Sequence, residues 1–451
     1  MRDMTTGRAY THLWKYALPL LLGNWLQLAY NAIDSIIAGR FIGPEALAAE
    51  GIAGPVMNLV ILGVSGMCIG SGVLMSEAFG AKDLDKLKAT LAMTLSLGVI
   101  SALVISTFGF IFSANITNLL QVPSEIKEIT ASYLAITFLG TPFTFIYNTL
   151  AAGLKSAGDT KTPLKFLAFS AILNALLDVI FIGFLGFGII CSATTTVVAE
   201  GVSAILAIYH ICFKEKAICP NISSFKFDKQ RIKKIFAYGA PSALQQAIQP
   251  ICKVLIQGRV NMLGVSSIAA YNAATKLDDF ACIPEQGIGS AISTYEAQNR
   301  GANKKDRLLK GLKAGLLLEA IYGAIILVFT YLFRKPIISM FVTGESAESV
   351  IALGTQYLGY MAFFYILPGL TNGMQGFFRG MGKMKLSALN TFIQASIRTV
   401  ATFILSPIFG ISGIAFSCAI GWSVMLIFMI FKCYFLCKKE SLLTINQKET
   451  E

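Results

Sequence analysis

The sequence contains little charge for its length. Of its 451 residues only 14% are Asp, Glu, Lys or Arg, and only His12 and His210 are histidine. No hydrophilic stretch is long enough to fold as a separate soluble domain. The chain also contains no Walker A sequence, so it does not predict an ATP-driven machine. These absences exclude soluble multidomain proteins and ATPases, and they direct attention to the apolar remainder of the chain.

Metal-ligand patterns are also missing. The nine cysteines are scattered, and several fall inside apolar runs, as Cys68 and Cys252 do. Cys433 and Cys437 are one helical turn apart, but two thiols do not make a zinc site. We therefore expect reduced, structural cysteines and no cofactor. Because both histidines lie near the ends of apolar runs, a proton relay inside a membrane would have to use carboxylates.

Apolar runs of membrane-spanning length fill most of the chain. Hydrophobic residues make up 55% of the sequence, and runs of about 20 such residues recur along it. The pattern predicts an all-α polytopic membrane protein with twelve transmembrane helices. The predicted spans are 14–38, 46–78, 88–112, 127–153, 162–184, 188–213, 232–260, 267–297, 309–333, 349–376, 386–407 and 411–437. Proline and glycine inside these spans, Pro284 and Pro368 among them, can open kinks.

The net charge of +12 is concentrated at every second connection between spans. The segment 214–234 is the richest in Lys and Arg, whereas the alternate connections contain almost none. This is the positive-inside pattern, and it predicts an even number of spans with both termini in the cytoplasm. We expect the basic segments to face anionic lipid headgroups rather than nucleic acid. The first span has no cleavage site after it, so it is predicted to be retained.

The two halves of the chain repeat one another. Pro19 and Gln27 match Pro241 and Gln249, and four further blocks keep the same offset of about 222 residues. Each half contains six spans, so both halves enter the membrane in the same direction. The predicted domains are an N-terminal six-helix lobe (1–213), a cytoplasmic linker (214–231), a C-terminal six-helix lobe (232–437) and a cytoplasmic tail (438–451).

A polar stripe runs along the first span. Gln27, Asn31 and Asp34 fall at i, i+4 and i+7 and share one helix face. A carboxylate inside such a helix costs roughly 2.5–3.5 kcal/mol on insertion scales, so a polar interior, a cation or a proton has to compensate it. Asp34 is therefore a candidate functional residue. The alternative is a polar residue that only packs helices together.

A second carboxylate lies at a similar depth in the fifth span. Asn174 and Asp178 are one helical turn apart, and both Asp34 and Asp178 lie about five residues from the outer end of their spans. The sixth span returns from that side with Thr196 in its second turn. We expect Asp34, Asn174, Asp178 and Thr196 to converge, and their oxygens suit Na⁺ and protons equally. The alternative is two unrelated packing carboxylates.

The second half carries a different set of polar residues in its spans. Gln249 lies on the seventh span, and Lys276 and Asp279 lie at i, i+3 on the eighth. Lys276 and Asp279 can form an ion pair within their helix, or they can provide a charged lining for a central cavity. Arg398 in the eleventh span is a candidate counter-ion.

Taken together, these motifs resemble the multidrug and toxic compound extrusion (MATE) family over almost the full length. The resemblance rests on the double repeat, on Pro19 with Asp34, and on three further motifs. Those motifs are GLKSAGDTKTP (153–163), NALLDVIFIG (174–183) and QNRGA (298–302). It implies two V-shaped six-helix bundles and a central cavity that alternates between outward and inward access. It also implies a transporter that exports amphipathic, often cationic compounds in exchange for Na⁺ or H⁺. Such a protein would be a monomer in the bacterial plasma membrane and would not be an enzyme.

The resemblance is closer to the DinF-like branch of the family. Asp34, Asn174, Asp178 and Thr196 match the cation and proton site of that branch, and Gln27 and Tyr30 fall around it. The acidic residues of the NorM-like branch correspond to Gln249 and Asn372 here, which puts a NorM-type cation site in doubt. The residues expected to line the substrate cavity are Gln27, Tyr30, Asn31, Gln249, Lys276, Asp279 and Arg398.

Two other functions fit parts of the sequence. A lipid-linked saccharide flippase of the same superfamily would share the fold, but such relatives commonly have extra spans or a more cationic cavity. An intramembrane aspartyl protease would use Asp34 and Asp178 as its catalytic pair, but neither aspartate lies in the G-x-G-D context of those enzymes. The sequence therefore favours a cation-coupled exporter.

Overall fold

The computed structural model describes residues 1–340 and 347–440, and the regular structure in these residues is helical. Thirteen α-helices lie in the described part of the chain. They are α1 (Ala9–Ile37), α2 (Pro44–Gly80), α3 (Leu84–Leu119), α4 (Ser124–Ser156), α5 (Lys161–Asp178), α6 (Ile189–Tyr209), α7 (Lys229–Asn261), α8 (Val265–Gly301), α9 (Lys305–Ser339), α10 (Ala347–Phe364), α11 (Ile366–Gly380), α12 (Met384–Phe409) and α13 (Ile411–Lys439).

The tenth predicted span is a bent pair of helices. α10 and α11 meet at an angle of 42° across Tyr365. Pro368 lies in the first turn of α11 and has no N–H, so it cannot bond to the carbonyl of Phe364, where α10 ends. Counting this pair once, the thirteen helices make twelve spans, which confirms the predicted all-helical, twelve-span fold.

Not all of these spans are equally apolar. By length and composition eight helices of the described residues can cross a membrane, and the bent pair is a ninth. α1, α7 and α8 are 29, 33 and 37 residues long, which is also sufficient, but they carry more polar residues. These three helices contain most of the polar residues that the sequence singles out.

The chain divides into two compact units. Unit 1 comprises residues 1–2 and 22–243, and unit 2 comprises residues 3–21 and those from 244 onward. Unit 1 therefore contains the second part of α1 and the first part of α7. The division into lobes at residues 213 and 231 stays a prediction, and residues 441–451 of the predicted tail lie outside the described part.

Glycines allow close helix packing in unit 1. A Cβ at Gly98 of α3 would lie 1.6 Å from the ring of Phe145 on α4, and one at Gly109 would lie 2.3 Å from the ring of Phe138. Two aromatic rings of α4, two turns apart, thus pack directly against the backbone of α3 where it has glycine. α4 also packs against α2 and α6, so it forms the centre of this unit.

Unit 2 is built around α8. The backbones of α8 and α11 touch, because a Cβ at Gly376 would lie 2.2 Å from the carbonyl oxygen of Gly289. On another face of α8, the side chain of Ile292 packs against Gly315 of α9. α8 therefore has helices packed close to it on two sides, and Glu285 of this helix is completely buried.

Candidate cation-coupling site

The two predicted carboxylates each lie within about one helical turn of an irregular turn that follows them. Asp34 precedes a π-helical turn at Ala38–Ile42, and Asp178 is the last residue of α5 before a π-helical turn at Val179–Phe184. The two π-helical turns pack against each other in unit 1. Single π-helical turns are frequent at functional sites. The contact between them brings the ends of α1 and α5 together, and with them the two aspartates.

Asp178 is fully buried and receives two side-chain hydrogen bonds. Thr195 of α6 donates its hydroxyl to Asp178 Oδ1. The Asn174 amide, oriented with its nitrogen towards the carboxyl, donates to Asp178 Oδ2 at 3.1 Å and to the Tyr30 hydroxyl at 3.2 Å, while its oxygen accepts from the Thr196 backbone N–H at 3.1 Å. Asp178 is thus held in one orientation by groups from α5 and α6.

Asp34 lies beside two other carboxyl groups. Its side chain is within hydrogen-bonding reach of Asp178 and also of Glu50 on α2. Three carboxylates this close repel one another strongly where water is scarce. A proton shared between two of them, or a bound cation, removes that repulsion. The cluster is therefore arranged to take up positive charge and to release it.

The donor set around this charge consists of oxygen atoms. Carboxylates of Asp34 and Asp178, the hydroxyl of Tyr30, and the amide oxygen of Asn174 lie in one part of unit 1. Thr196 belongs to the same group, because it is in hydrogen-bonding contact with Tyr30. Oxygen ligands of this kind suit hard cations. The same oxygens can bind protons instead.

The polar stripe predicted on α1 divides in the structure. Asp34 is partly buried in the carboxyl cluster, whereas Gln27 and Asn31 are exposed. Tyr30, one turn before Asp34, is in the cluster with it. The structure therefore brings together Tyr30, Asp34, Asn174, Asp178 and Thr196, and it leaves Gln27 and Asn31 on the surface of unit 1.

Two residues of the cluster were not predicted. Thr195 bonds Asp178, although the sequence pointed to its neighbour Thr196, and Glu50 lies next to Asp34. Glu50 had a signal, since it is an ionisable residue inside a predicted span and such residues are candidates by default. Nothing in the sequence indicated Thr195, because three successive threonines differ only in the direction that each side chain faces.

The threonines offer a matched set of variants. Thr194 is exposed, and among the described residues its hydroxyl bonds the Ile190 carbonyl of its own helix, at 2.8 Å. We expect Thr195→Val to weaken cation-dependent transport about tenfold, because Asp178 loses its hydroxyl donor in a buried site. Thr194→Val should transport as the wild type does. Initial rates of dye efflux in inverted vesicles measure both, and equal rates for the two variants would contradict the assignment.

In unit 2, the structure does not form the ion pair between Lys276 and Asp279, which was one of the two interpretations of these residues. Asp279 instead pairs with Lys253 of α7, with a distance of 2.6 Å between Nζ and Oδ1. Lys276 is exposed on α8. The pairing follows from helix packing, since α7 places a second cation closer to Asp279 than the turn of α8 does. Both partners are about half exposed, so the bond contributes little stability.

Other polar side chains of unit 2 are partly or fully buried. Gln249 donates to Gln394 of α12 at 3.1 Å. Asp278 accepts hydrogen bonds from the hydroxyls of Tyr357 and Tyr365, both fully buried. Arg398 is also buried. It is in hydrogen-bonding contact with the Cys418 thiol and close enough to Asp278 to interact with it electrostatically, so its role as a counter-ion stays a prediction. Each of these polar groups therefore has a partner within unit 2.

Twelve spans and a buried carboxyl cluster define a polytopic membrane protein of the class that moves small solutes or ions. The MatE family model matches residues 19–180 and 241–404, one stretch in each half of the repeat. The chain belongs to this family, the multidrug and toxic compound extrusion transporters.

Individual relatives agree with this assignment. The chain is 28% identical to the probable multidrug resistance protein YoeA of Bacillus subtilis (strain 168), over 89% of each chain. It is 21% identical to the multidrug export protein MepA of Staphylococcus haemolyticus (strain JCSC1435), over 93% of this chain and 92% of MepA. Its fold is similar to the outward-facing conformation of a multidrug resistance MATE family transporter, with a TM-score of 0.90, 21% identity and 98% of both chains covered.

Proposed function

We propose that the protein is a secondary active antiporter that exports amphipathic, often cationic small molecules in exchange for H⁺ or Na⁺ by alternating access. It would work in the plasma membrane of a bacterium with both termini in the cytoplasm. The relatives named for multidrug resistance and export support the substrate class. Exchange, rather than ATP hydrolysis, agrees with the lack of a Walker A sequence.

The observation that supports the coupling is the carboxyl cluster of unit 1. Asp34 lies between Asp178 and Glu50, and Asp178 is 0% exposed. Such a cluster is stable only when positive charge is present, so its occupancy follows the cation concentration on the side to which it is open. A substrate that binds better to one occupancy state is thereby coupled to the ion gradient.

The test uses purified protein in liposomes with a fluorescent organic-cation dye. A pH gradient and a Na⁺ gradient are imposed separately, in the absence of ATP. We expect one of the two ion gradients to drive the dye from lower to higher dye concentration, because ion exchange is the energy source in this experiment. The effective gradient identifies the coupling ion.

The controls separate this function from its alternatives. Liposomes without protein measure dye leakage, and an ionophore that collapses the gradient should stop the movement. Folded protein that moves dye under neither gradient, or that moves it only with ATP, would contradict the proposal. Movement of a lipid-linked saccharide in place of dye would identify a flippase.

A further inference from the structure

Unit 2 contains a pair of buried glutamates that the carboxyl cluster of unit 1 does not involve. Glu285 of α8 and Glu319 of α9 are both 0% exposed. None of their four carboxyl oxygens makes a hydrogen bond of normal geometry in the described part of the chain. A buried charged group without a partner costs several kcal/mol, roughly the effective penalty for an ion in a protein interior. The pair is therefore neutralised by something that is not a protein side chain.

The two carboxyls face the same space. A Cβ at Gly369 of α11 would lie 3.3 Å from Glu319 Oε2 and 3.5 Å from Glu285 Oε1. A larger residue at this position would push into both carboxyls. Gly369 therefore forms one wall of a small space that both glutamates enter from different helices.

Prolines lie beside this pair on α8 and α11, and the helix is bent where α10 meets α11. Glu285 directly follows Pro284 inside α8, and Gly369 directly follows Pro368. The 42° bend between α10 and α11 is within one turn of Gly369. Broken or bent membrane helices are tolerated where they line a cavity, and in transporters they commonly surround ion sites. The bend is an observation independent of the carboxyls, and it lies at the same place.

The neighbours of the pair do not supply a positive charge. Among the described residues, Glu285 interacts electrostatically with Cys282 of α8 and Tyr322 of α9 as well as with Glu319. Tyr322 donates its hydroxyl to the Ala281 carbonyl at 2.9 Å, so it is occupied elsewhere. The amide of Asn372 on α11 is within hydrogen-bonding reach of Glu285. A neutral amide, a thiol and a phenol cannot balance two carboxylates.

We propose that Glu285 and Glu319 form a second proton-binding site, located in unit 2, which takes up and releases a proton during each transport cycle. The inference rests on the proposed function, because it requires exchange of substrate for cations. Two adjacent carboxyls share protons in coupled steps, and a protonated carboxyl can donate to an ionised neighbour. The pair can therefore lose one proton at a smaller cost than an isolated buried carboxyl can.

The chain provides a matched control for this pair. Glu296 lies on the same helix, is also 0% exposed, and has no hydrogen-bond partner for its carboxyl among the described residues. It lies against Gly311 and Gly380, and those neighbours bring no second carboxyl to it. We expect Glu296 to keep its proton throughout the cycle. Glu296→Gln thus removes a comparable buried acid without removing the shared proton.

The experiment counts protons released when substrate binds. Purified full-length protein in detergent is mixed with excess tetraphenylphosphonium in weakly buffered solution that contains a pH indicator. We expect the Glu285→Gln/Glu319→Gln double variant to release about one proton fewer per molecule than wild type, whereas Glu296→Gln releases the wild-type number. Glutamine is nearly isosteric with a protonated glutamate and can keep the contact of Glu285 with the Asn372 amide, so the melting temperature should not fall.

The outcomes separate the failure of this inference from the failure of the proposed function. Equal proton release by the double variant and wild type, with gradient-driven dye transport intact, would overturn the second site alone. Loss of dye transport in the wild type would overturn the proposed function. The measurement is repeated with NaCl in place of KCl. A difference between the double variant and wild type that appears only as lost Na⁺ binding would overturn the proton assignment in favour of sodium.

Discussion

Asp34→Asn is expected to reduce gradient-driven efflux to the level of liposomes without protein. Asn has the size of Asp but cannot carry the negative charge that competes for a proton or a cation. In the structure Asp34 is the carboxyl that lies beside both Asp178 and Glu50. Without Asp34, neither Asp178 nor Glu50 has a negatively charged neighbour in the cluster at that position, so the repulsion that favours uptake of positive charge is lost. Substrate would then bind without being linked to the gradient.

The measurement compares initial rates of dye transport with the amount of folded protein in the liposomes. Glu45→Gln is the control, because Glu45 is an exposed acidic residue in the first turn of α2 and its replacement changes the net charge equally. Size-exclusion profiles and melting temperatures of both variants should match wild type. Transport by folded Asp34→Asn at the wild-type rate would remove Asp34 from the coupling site.

The convergence of Asp34 with Asp178 was predictable from depth alone. Both residues lie a similar number of helix turns from the same end of their spans, and the two spans run in the same direction. A membrane fixes the position of each helix along its normal, so sequence distance converts into depth. Asn174 was predictable as well, because it lies one helical turn before Asp178 and so shares a helix face with it. These residues meet in unit 1 as expected from their sequence positions.

Rotation about the helix axis was not predictable in the same way. Thr194, Thr195 and Thr196 have nearly the same depth, and only packing decides which one faces Asp178. The π-helical turn after Asp34 also changes the direction of the following residues, and the sequence gives no sign of where such a turn occurs. Glu50 reaches the cluster from α2, so its contact depends on how that helix packs.

The charge partner of Asp279 in unit 2 was not predictable for a related reason. The i, i+3 spacing of Lys276 and Asp279 predicts a local pair, but a local rule does not include the neighbouring helix. α7 brings Lys253 to 2.6 Å from Asp279, and the local pair does not form. The twelve spans were easier to predict, because a run of apolar residues is a property of each segment by itself. The break at Tyr365 depends on Pro368, which the sequence could flag only as one of several prolines able to kink a helix.

Asp178→Asn is expected to abolish the dependence of substrate affinity on the coupling ion. Asp178 is buried and oriented by Thr195 and Asn174, and its carboxyl is within hydrogen-bonding reach of Asp34. In the wild type the substrate Kd should change at least about tenfold between low and high concentrations of the coupling ion, which corresponds to about 1.4 kcal/mol of coupling. In the variant the same titration should give a constant Kd, since the site no longer gains or loses charge. Binding of tetraphenylphosphonium by calorimetry, over a range of pH and of Na⁺, measures this linkage.

The double variant Asp34→Asn/Asp178→Asn shows whether the two aspartates act as one site. Residues that work as a unit have strongly non-additive effects, so removing both should cost little more than removing either one. Additive losses would mean that the aspartates bind separate ions, and a full ion dependence in Asp178→Asn would exclude Asp178 from the site. A constant Kd in both single variants and in the double variant would mean that one cation, shared between α1 and α5, carries the coupling in unit 1.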